Sequence, residues 1–251
     1  MTAGQPKGPR LTYVGHATFA LELPEGGTLI VDPWFADNPA CPDDLRDGPR
    51  ADALLVTHGH RDHFGDVVRL ARRDGARILA IHEIAHWLEH RAGIPAGQIV
   101  GMNFGGMAEV LPGVFAAMVR ADHSSSITED DGTLVPAGAP AGFVLHGEGL
   151  PTIYFAGDTA AFAEMMVIGE LHRPRIAVLP IGGHYTMDPG AAAWAAKMLG
   201  VRQVIPCHWG TFPVLTGTPD DLRRRLAELD PEIEVTELAP GAALELAGNG
   251  P

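Results

Sequence analysis

Three histidines and one aspartate fall within THGHRDH, residues 57 to 63, directly after the apolar run ADALLV. If the chain leaves a strand in extended form here, His58 and His60 project the same way, because side chains alternate along a strand with a period of two. Asp62 and His63 follow where Phe64-Gly65-Asp66 starts a helix, so the chain turns and presents a carboxylate and a third imidazole to a neighbouring point. Such an arrangement suits two adjacent cations rather than one. Mixed imidazole and carboxylate donors favour Zn²⁺, Mn²⁺ or Fe²⁺ over Ca²⁺ and Mg²⁺, which prefer shells of oxygen.

A single loop histidine is usually just solvated; a cluster of four ligand-type residues at this spacing after a strand is not explained that way. A dinuclear centre needs further ligands from other loops. They occur at His123 in VRADHSSS, Asp158 in YFAGDT and His208 in IPCHWG, each after an apolar strand able to hold it rigidly. Coordination lowers the pKa of water, and a metal or nearby donor takes up charge developing on a carbonyl or phosphoryl oxygen, so the chemistry expected is hydrolysis.

Around this set stand residues with weaker claims. His184, in a Gly-Gly-His-Tyr loop after AVLPI, could lie over the pocket as proton donor or oxyanion partner, although a plain loop histidine fits as well. His16, between strand residues, could face the cations from behind their ligands, against a satisfied core histidine. Asp32, ending TLIVD, is placed to hydrogen-bond a ligand imidazole, against a simple Asp-Pro turn. Cys207 precedes His208 and should face the opposite way, into the core; Arg61 reads as a solvated guanidinium that could meet an anion. HEIAH, residues 82 to 86, matches the helical zinc motif H-E-x-x-H, but ARILAI before it is a strand that His82 should end, and Glu89 and Ala92 stand where the longer metzincin form needs Gly and a third His.

The elements that must position these residues alternate. LTYVGHATFALEL (11 to 23) and GTLIVDPW (27 to 34) read as paired strands around PEGG, ADALLVT and ARILAI as strands, and 65 to 73 and 83 to 91 as helices. From 98 to 157 the pattern is mostly strands, interrupted by the polar, loop-like SSSITEDDGTLVPAGAP at 124 to 140. The tail returns to helices at 162 to 172, 189 to 199 and 220 to 229, with strands RIAVLPI and RQVIPC between them. Two β-rich halves, each with helices, predict layered sheets covered on their outer faces.

Composition bounds the rest. With 251 residues and 46% apolar content the chain supports one large domain spanning 1–251, with flexible tails expected at 1–10 and 247–251. No window approaches the roughly 18 apolar residues of a membrane span, and MTAGQPKGPR lacks the plan of a signal peptide, so a cytoplasmic, non-membrane protein is expected. Two cysteines, Cys41 and Cys207, make no disulfide framework. A formal charge of −13 repels phosphate backbones, which argues against nucleic acid. The expected partner is a small-molecule substrate, with a homo-oligomer as the one self-association allowed for.

GHATF (15 to 19), HGHRDHFGD (58 to 66), ADHSSS, FAGDTAAF, LPIGGHYTMDP and IPCHWGTFP resemble, in this order, the metallo-β-lactamase fold superfamily. Within it they are similar to the metal-dependent hydrolases related to L-ascorbate-6-phosphate lactonase. The resemblance implies an α/β four-layered αβ/βα sandwich: two mixed β-sheets with helices on the outer faces and the site along one edge. It implies one cation on His58, His60 and His123, a second on Asp62, His63 and His208, and Asp158 bridging, with zinc foremost and manganese or iron as alternatives. Asp62 and, from its loop, His184 are the candidate catalytic residues, and a small lactone, ester or phosphoester, with anionic forms allowed for, is the expected substrate. A diiron oxidoreductase on the same fold should carry Glu in place of His60; a non-catalytic metal-binding protein should have lost members of the ligand set.

Overall fold

The alternation in LTYVGHATFALEL does not run through as one strand. In the computed structural model, which describes residues 8–247, it folds back on itself as β1 (Arg10–Gly15) and β2 (Thr18–Glu22), paired antiparallel. Gly15 at φ 131° and His16 at φ 58° reverse the chain there, so the His16 side chain is placed by a tight turn and not by a pleat. Then come β3 (Thr28–Val31), β4 (Ala53–Leu55), α1 (Arg61–Phe64), α2 (Val67–Asp74), β5 (Arg77–Ile81), α3 (His82–His90) and β6 (Ile99–Met102). β3 to β6 pair in parallel, as strands joined by crossovers must.

The second half repeats this plan. β7 (Met107–Leu111), β8 (Val114–Arg120), β11 (Ala141–Gly147) and β12 (Leu150–Phe155) are antiparallel neighbours. β13 (Ile176–Pro180), β14 (Gln203–Cys207) and β15 (Glu234–Val235) extend them in parallel, with α4 (Met165–His172), α5 (Pro189–Leu199) and α6 (Pro219–Leu229) in the connections. Helix starts are signalled locally: Asp188 and Thr218 accept from the backbone N–H groups of Ala191 and Asp221, each just before a proline at the first helical position.

Segment 124 to 140, which reads as loop, instead contains an antiparallel hairpin, β9 (Ser126–Thr128) and β10 (Leu134–Pro136). Part of the expected N-terminal tail is also tied down. Pro9 accepts from the Leu246 N–H and Arg10 pairs with Glu245 of β16 (Ala243–Glu245); residues 1–7 and 248–251 of the two expected tails lie outside the described residues.

The sheets have strand orders β16-β1-β2-β3-β4-β5-β6 and β15-β14-β13-β12-β11-β8-β7. One apolar cluster joins Phe19, Ile30 and Leu54 of the first sheet to Phe143, Phe155 and Ile205 of the second, and continues to Leu70 and Ile84 under α2 and α3. A second seals Tyr154, Ala177 and Leu179 beneath α4, α5 and α6, through Ile168, Ala192 and Leu222. Strand alternation explains the split, since Ile176 and Val178 face inward while Ala177 and Leu179 face outward. The result is the expected four-layered α/β sandwich of two mixed sheets with outer helices. Cys207 lies in the inter-sheet cluster and Cys41 is also buried, both as free thiols. Among the described residues, no helix is long and apolar enough to cross a membrane.

Candidate metal centre

The loops leaving β4, β8, β12 and β14 converge at one edge of the two sheets. Just beyond β4, Thr57 is pinned by Asp32: Oδ1 accepts the Thr57 N–H at 2.8 Å and Oδ2 the hydroxyl at 2.7 Å. This connects the end of β3 to the start of the metal motif. The same Oδ2 accepts from Nδ1 of His63 at 2.8 Å, and the Thr57 hydroxyl lies 3.0 Å from Nδ1 of His58. A carboxylate can only accept, so His63 carries a proton on Nδ1 and Nε2 is the nitrogen left for a cation; the Thr57 hydroxyl, already donating to Asp32, accepts from His58 in the same sense.

Nε2 of His58 lies 3.0 Å from Nδ1 of His60, and His58, His60 and His123 form one group whose nitrogens lie within 4.8 Å of one another. His16, Asp62, His63 and His208 form another by the same measure. Asp158 stands between: its oxygens are 4.0 Å from His58, 3.6 Å from His123, 3.3 Å from His63 and 3.2 Å from His208. Every metal-ligand candidate of the sequence is therefore brought together. The exception among the candidate catalytic residues is His184, which is exposed at φ 59°, edge-on to Tyr185, and in neither group. It lies on the turn beyond β13, and among the described residues no ring contact or metal-type group joins it to the ligands.

The other doubtful residues resolve differently. Arg61 is 75% exposed and pairs with Asp37 at 2.8 Å. It lines, with Gly59, Phe64 and Gly65, a groove of about 780 Å³ whose lining includes none of the ligand candidates. In HEIAH, His82 is the first residue of α3 and does not end the strand as expected. Even so, His86 stacks on His90 at 4.1 Å, and among the described residues no metal-type group includes His82, Glu83 or His86.

Whether cations fit can be judged from the polar atoms themselves. Nε2 of His63, Oδ1 of Asp158 and Nε2 of His208 are buried without a hydrogen-bond partner. Such groups cost about 1–3 kcal/mol each when left unsatisfied. Here they face one another across gaps suited to a shared cation. Without one, protons take its place. Burial alone would lower the His208 pKa, but Asp158 and Asp62 together, the Asp158 charge foremost, outweigh it and push it up to about 9; Asp158 and Asp32 together raise His63 likewise against burial. Burial disfavours the Asp62 charge, yet the hydrogen bond from His16 and the neighbouring imidazoles hold its carboxyl well below the usual range. His58, buried and next to His63, stays neutral, lowered well below the usual imidazole value.

The site is also held in backbone conformations that side chains rarely adopt. Among non-glycine residues His16, Asp32 and His208 have φ between 48° and 58°, at about 1–3 kcal/mol each. Gly157, before Asp158, has φ 61°, and a Cβ there would lie 2.8 Å from Cβ of Thr57. Gly157→Ala should therefore force the β12 loop off the metal motif and destabilise the fold by about 1–3 kcal/mol, as read by urea denaturation. Asp32→Asn is expected to weaken cation uptake by about 10- to 100-fold in calorimetric titration, because an amide N–H facing His63 Nδ1 would drive the proton onto the ligating nitrogen.

Sequence comparison places these features among related proteins. A family model described as "Beta-lactamase superfamily domain" matches residues 28–209. A UPF0173 metal-dependent hydrolase of Rubrobacter xylanophilus is 45% identical, over 94% of this chain and 96% of that protein. One from Chloroflexus aurantiacus is 44% identical, over 93% and 96%. Among solved structures, Igni18, a metallo hydrolase from the archaeon Ignicoccus hospitalis, is similar at a TM-score of 0.81 with 37% identity, covering 94% of this chain and 97% of that one.

Proposed function

The chain belongs to the metallo-β-lactamase superfamily, within its UPF0173 metal-dependent hydrolases, and from that premise we propose that it hydrolyses a small lactone, ester or phosphoester at a dinuclear cation centre. In this reading His58, His60 and His123 hold one divalent cation, Asp62, His63 and His208 the second, and Asp158 both. Zinc suits the imidazole-rich donor set best, with manganese or iron as alternatives. The observation that carries the reading is the convergence of buried, unpartnered donor atoms of His63, Asp158 and His208 between the two groups.

When bound, the cations supply Lewis acidity toward a carbonyl or phosphoryl oxygen and ionise water near neutral pH. The side chains do the rest. Asp32 and Thr57 fix the tautomers of His63 and His58, so their Nε2 lone pairs point inward. Asp62, 28% exposed at its side chain against 4% for Asp158, is the carboxylate open to a substrate. Phe212, 37% exposed and edge-on to His16 at 5.6 Å, adds an apolar wall beside it. Metal analysis of the purified protein followed by lactone, phosphodiester and amide substrates, with Asp62→Ala as control, tests this. Two cations per chain with lactone or phosphodiester turnover lost in the variant is the expected result; turnover of the amide alone, or equal turnover in both proteins, would exclude it.

A further inference from the structure

His16 belongs to neither ligand set implied by the superfamily resemblance, yet it touches residues from both halves of the second one. Its side chain is fully buried at the β1–β2 turn. Nε2 lies 3.0 Å from Oδ2 of Asp62, and Nδ1 3.0 Å from Oγ1 of Thr211, three residues beyond His208. The His16 carbonyl accepts the His208 N–H at 2.6 Å and the Tyr13 hydroxyl at 3.1 Å. Its ring packs on that of His208, with centroids 3.9 Å apart.

Donor and acceptor roles follow from Asp62. A carboxylate only accepts, so His16 donates from Nε2; in the neutral ring Nδ1 is then the acceptor, and the Thr211 hydroxyl donates to it. The competing partner of that hydroxyl, the Trp209 carbonyl, is farther away at 3.5 Å. With a proton on Nε2 and the Nδ1 lone pair taken by the Thr211 hydroxyl, His16 has no lone pair free for a cation. Ring placement agrees: the three histidines of the other group, which do converge, keep their centroids 4.6 to 5.3 Å apart.

His208 shows why such a device is needed. His58 is oriented through Nδ1 by Thr57 and His63 by Asp32, whereas Nδ1 of His208 is buried with no partner. Its orientation is left to the ring and carbonyl of His16. The same residue fixes Asp62, which reaches the site from the first sheet while His208 reaches it from the second.

We infer that His16 is a positioning residue that sets Asp62 and His208 in register for the second cation while leaving the His58–His60–His123 group untouched, an inference that rests on the dinuclear reading. Metal-free protein titrated with Co²⁺, followed by calorimetry and by the visible absorption of the bound ion, separates the sites. Wild type should take up two ions. His16→Ala should keep the first at unchanged affinity and bind the second about 10- to 100-fold more weakly. His16→Gln, whose amide can still donate to Asp62, should recover part of the loss, and Thr211→Val should show an intermediate one. A folded His16→Ala protein that binds both ions as wild type does, or loses both equally, overturns the inference alone. A wild type that binds one ion overturns the dinuclear reading and the inference with it. Should His16→Ala not fold, unchanged second-site affinity in both His16→Gln and Thr211→Val is the overturning result.

Discussion

Asp158→Ala is expected to abolish tight cation uptake and to lower kcat/KM by roughly a thousandfold, the scale of losing a preorganised charge at a reacting centre. Asp158 lies within 4.0 Å of His58, His63, His123 and His208, members of both groups, and is itself 4% exposed at its side chain. Asp158→Asn should lose nearly as much. It keeps the shape, but it presents a neutral amide where divalent cations need an anionic donor. Metal content by mass spectrometry and kinetics on the best substrate measure both effects; a variant that retains two ions and turns over within tenfold of wild type would refute the central role. An independent sign lies in the metal-free protein. Because the Asp158 charge is the foremost contribution raising His63 and His208 against burial, beside Asp32 and Asp62 respectively, NMR titration of Asp158→Asn should find both imidazoles less basic.

Chelation should abolish activity and lower the melting temperature. A ligand present at a hundredfold its Kd stabilises by about 2.7 kcal/mol, which for a chain of this size corresponds to roughly 5–10 °C. The size of the shift should depend on pH. His208 has its pKa raised to about 9 in the metal-free fold. A raised pKa contributes stability that is fully present below the unfolded value of about 6.5 and is lost as pH climbs through the folded one. The metal-free protein should therefore weaken between about pH 6.5 and 9. Cation binding displaces that proton, so apparent affinity should rise with pH over the same window, by up to about tenfold per unit for each proton released. Calorimetric melts of loaded and chelated protein from pH 6.5 to 9 should diverge as pH increases; curves that converge would contradict this.

Much of this architecture was legible in the residues. The 58–63 motif declares itself because ligand type, spacing and a preceding apolar strand coincide within one short segment, and His123, Asp158 and His208 could be found because each ends such a strand. Asp32 was anticipated as a hydrogen-bond partner of a ligand imidazole for the same reason. His184 shows the limit of that logic: it too follows an apolar strand, but two glycines intervene and the loop carries it to the surface. The hairpin at 126–136 does not show in the sequence because its strands are three residues each, with only Ile127 buried, too short for apolar alternation to declare itself.

What the sequence by itself determined was the set of side chains able to bind cations and the apolar periodicities that build two covered sheets. Both are local properties, carried by residue type and by spacing over a few positions. Tertiary structure alone decided how those side chains are aimed. The bond from Thr57 to His58 is a neighbour contact, but those from Asp32 to His63, from His16 to Asp62 and from Thr211 to His16 span 31, 46 and 195 positions. A hydrogen bond requires two atoms at about 3 Å in the right orientation; strand pairing within the first sheet brings Asp32 to His63 and His16 to Asp62, and packing of the two sheets brings Thr211 to His16.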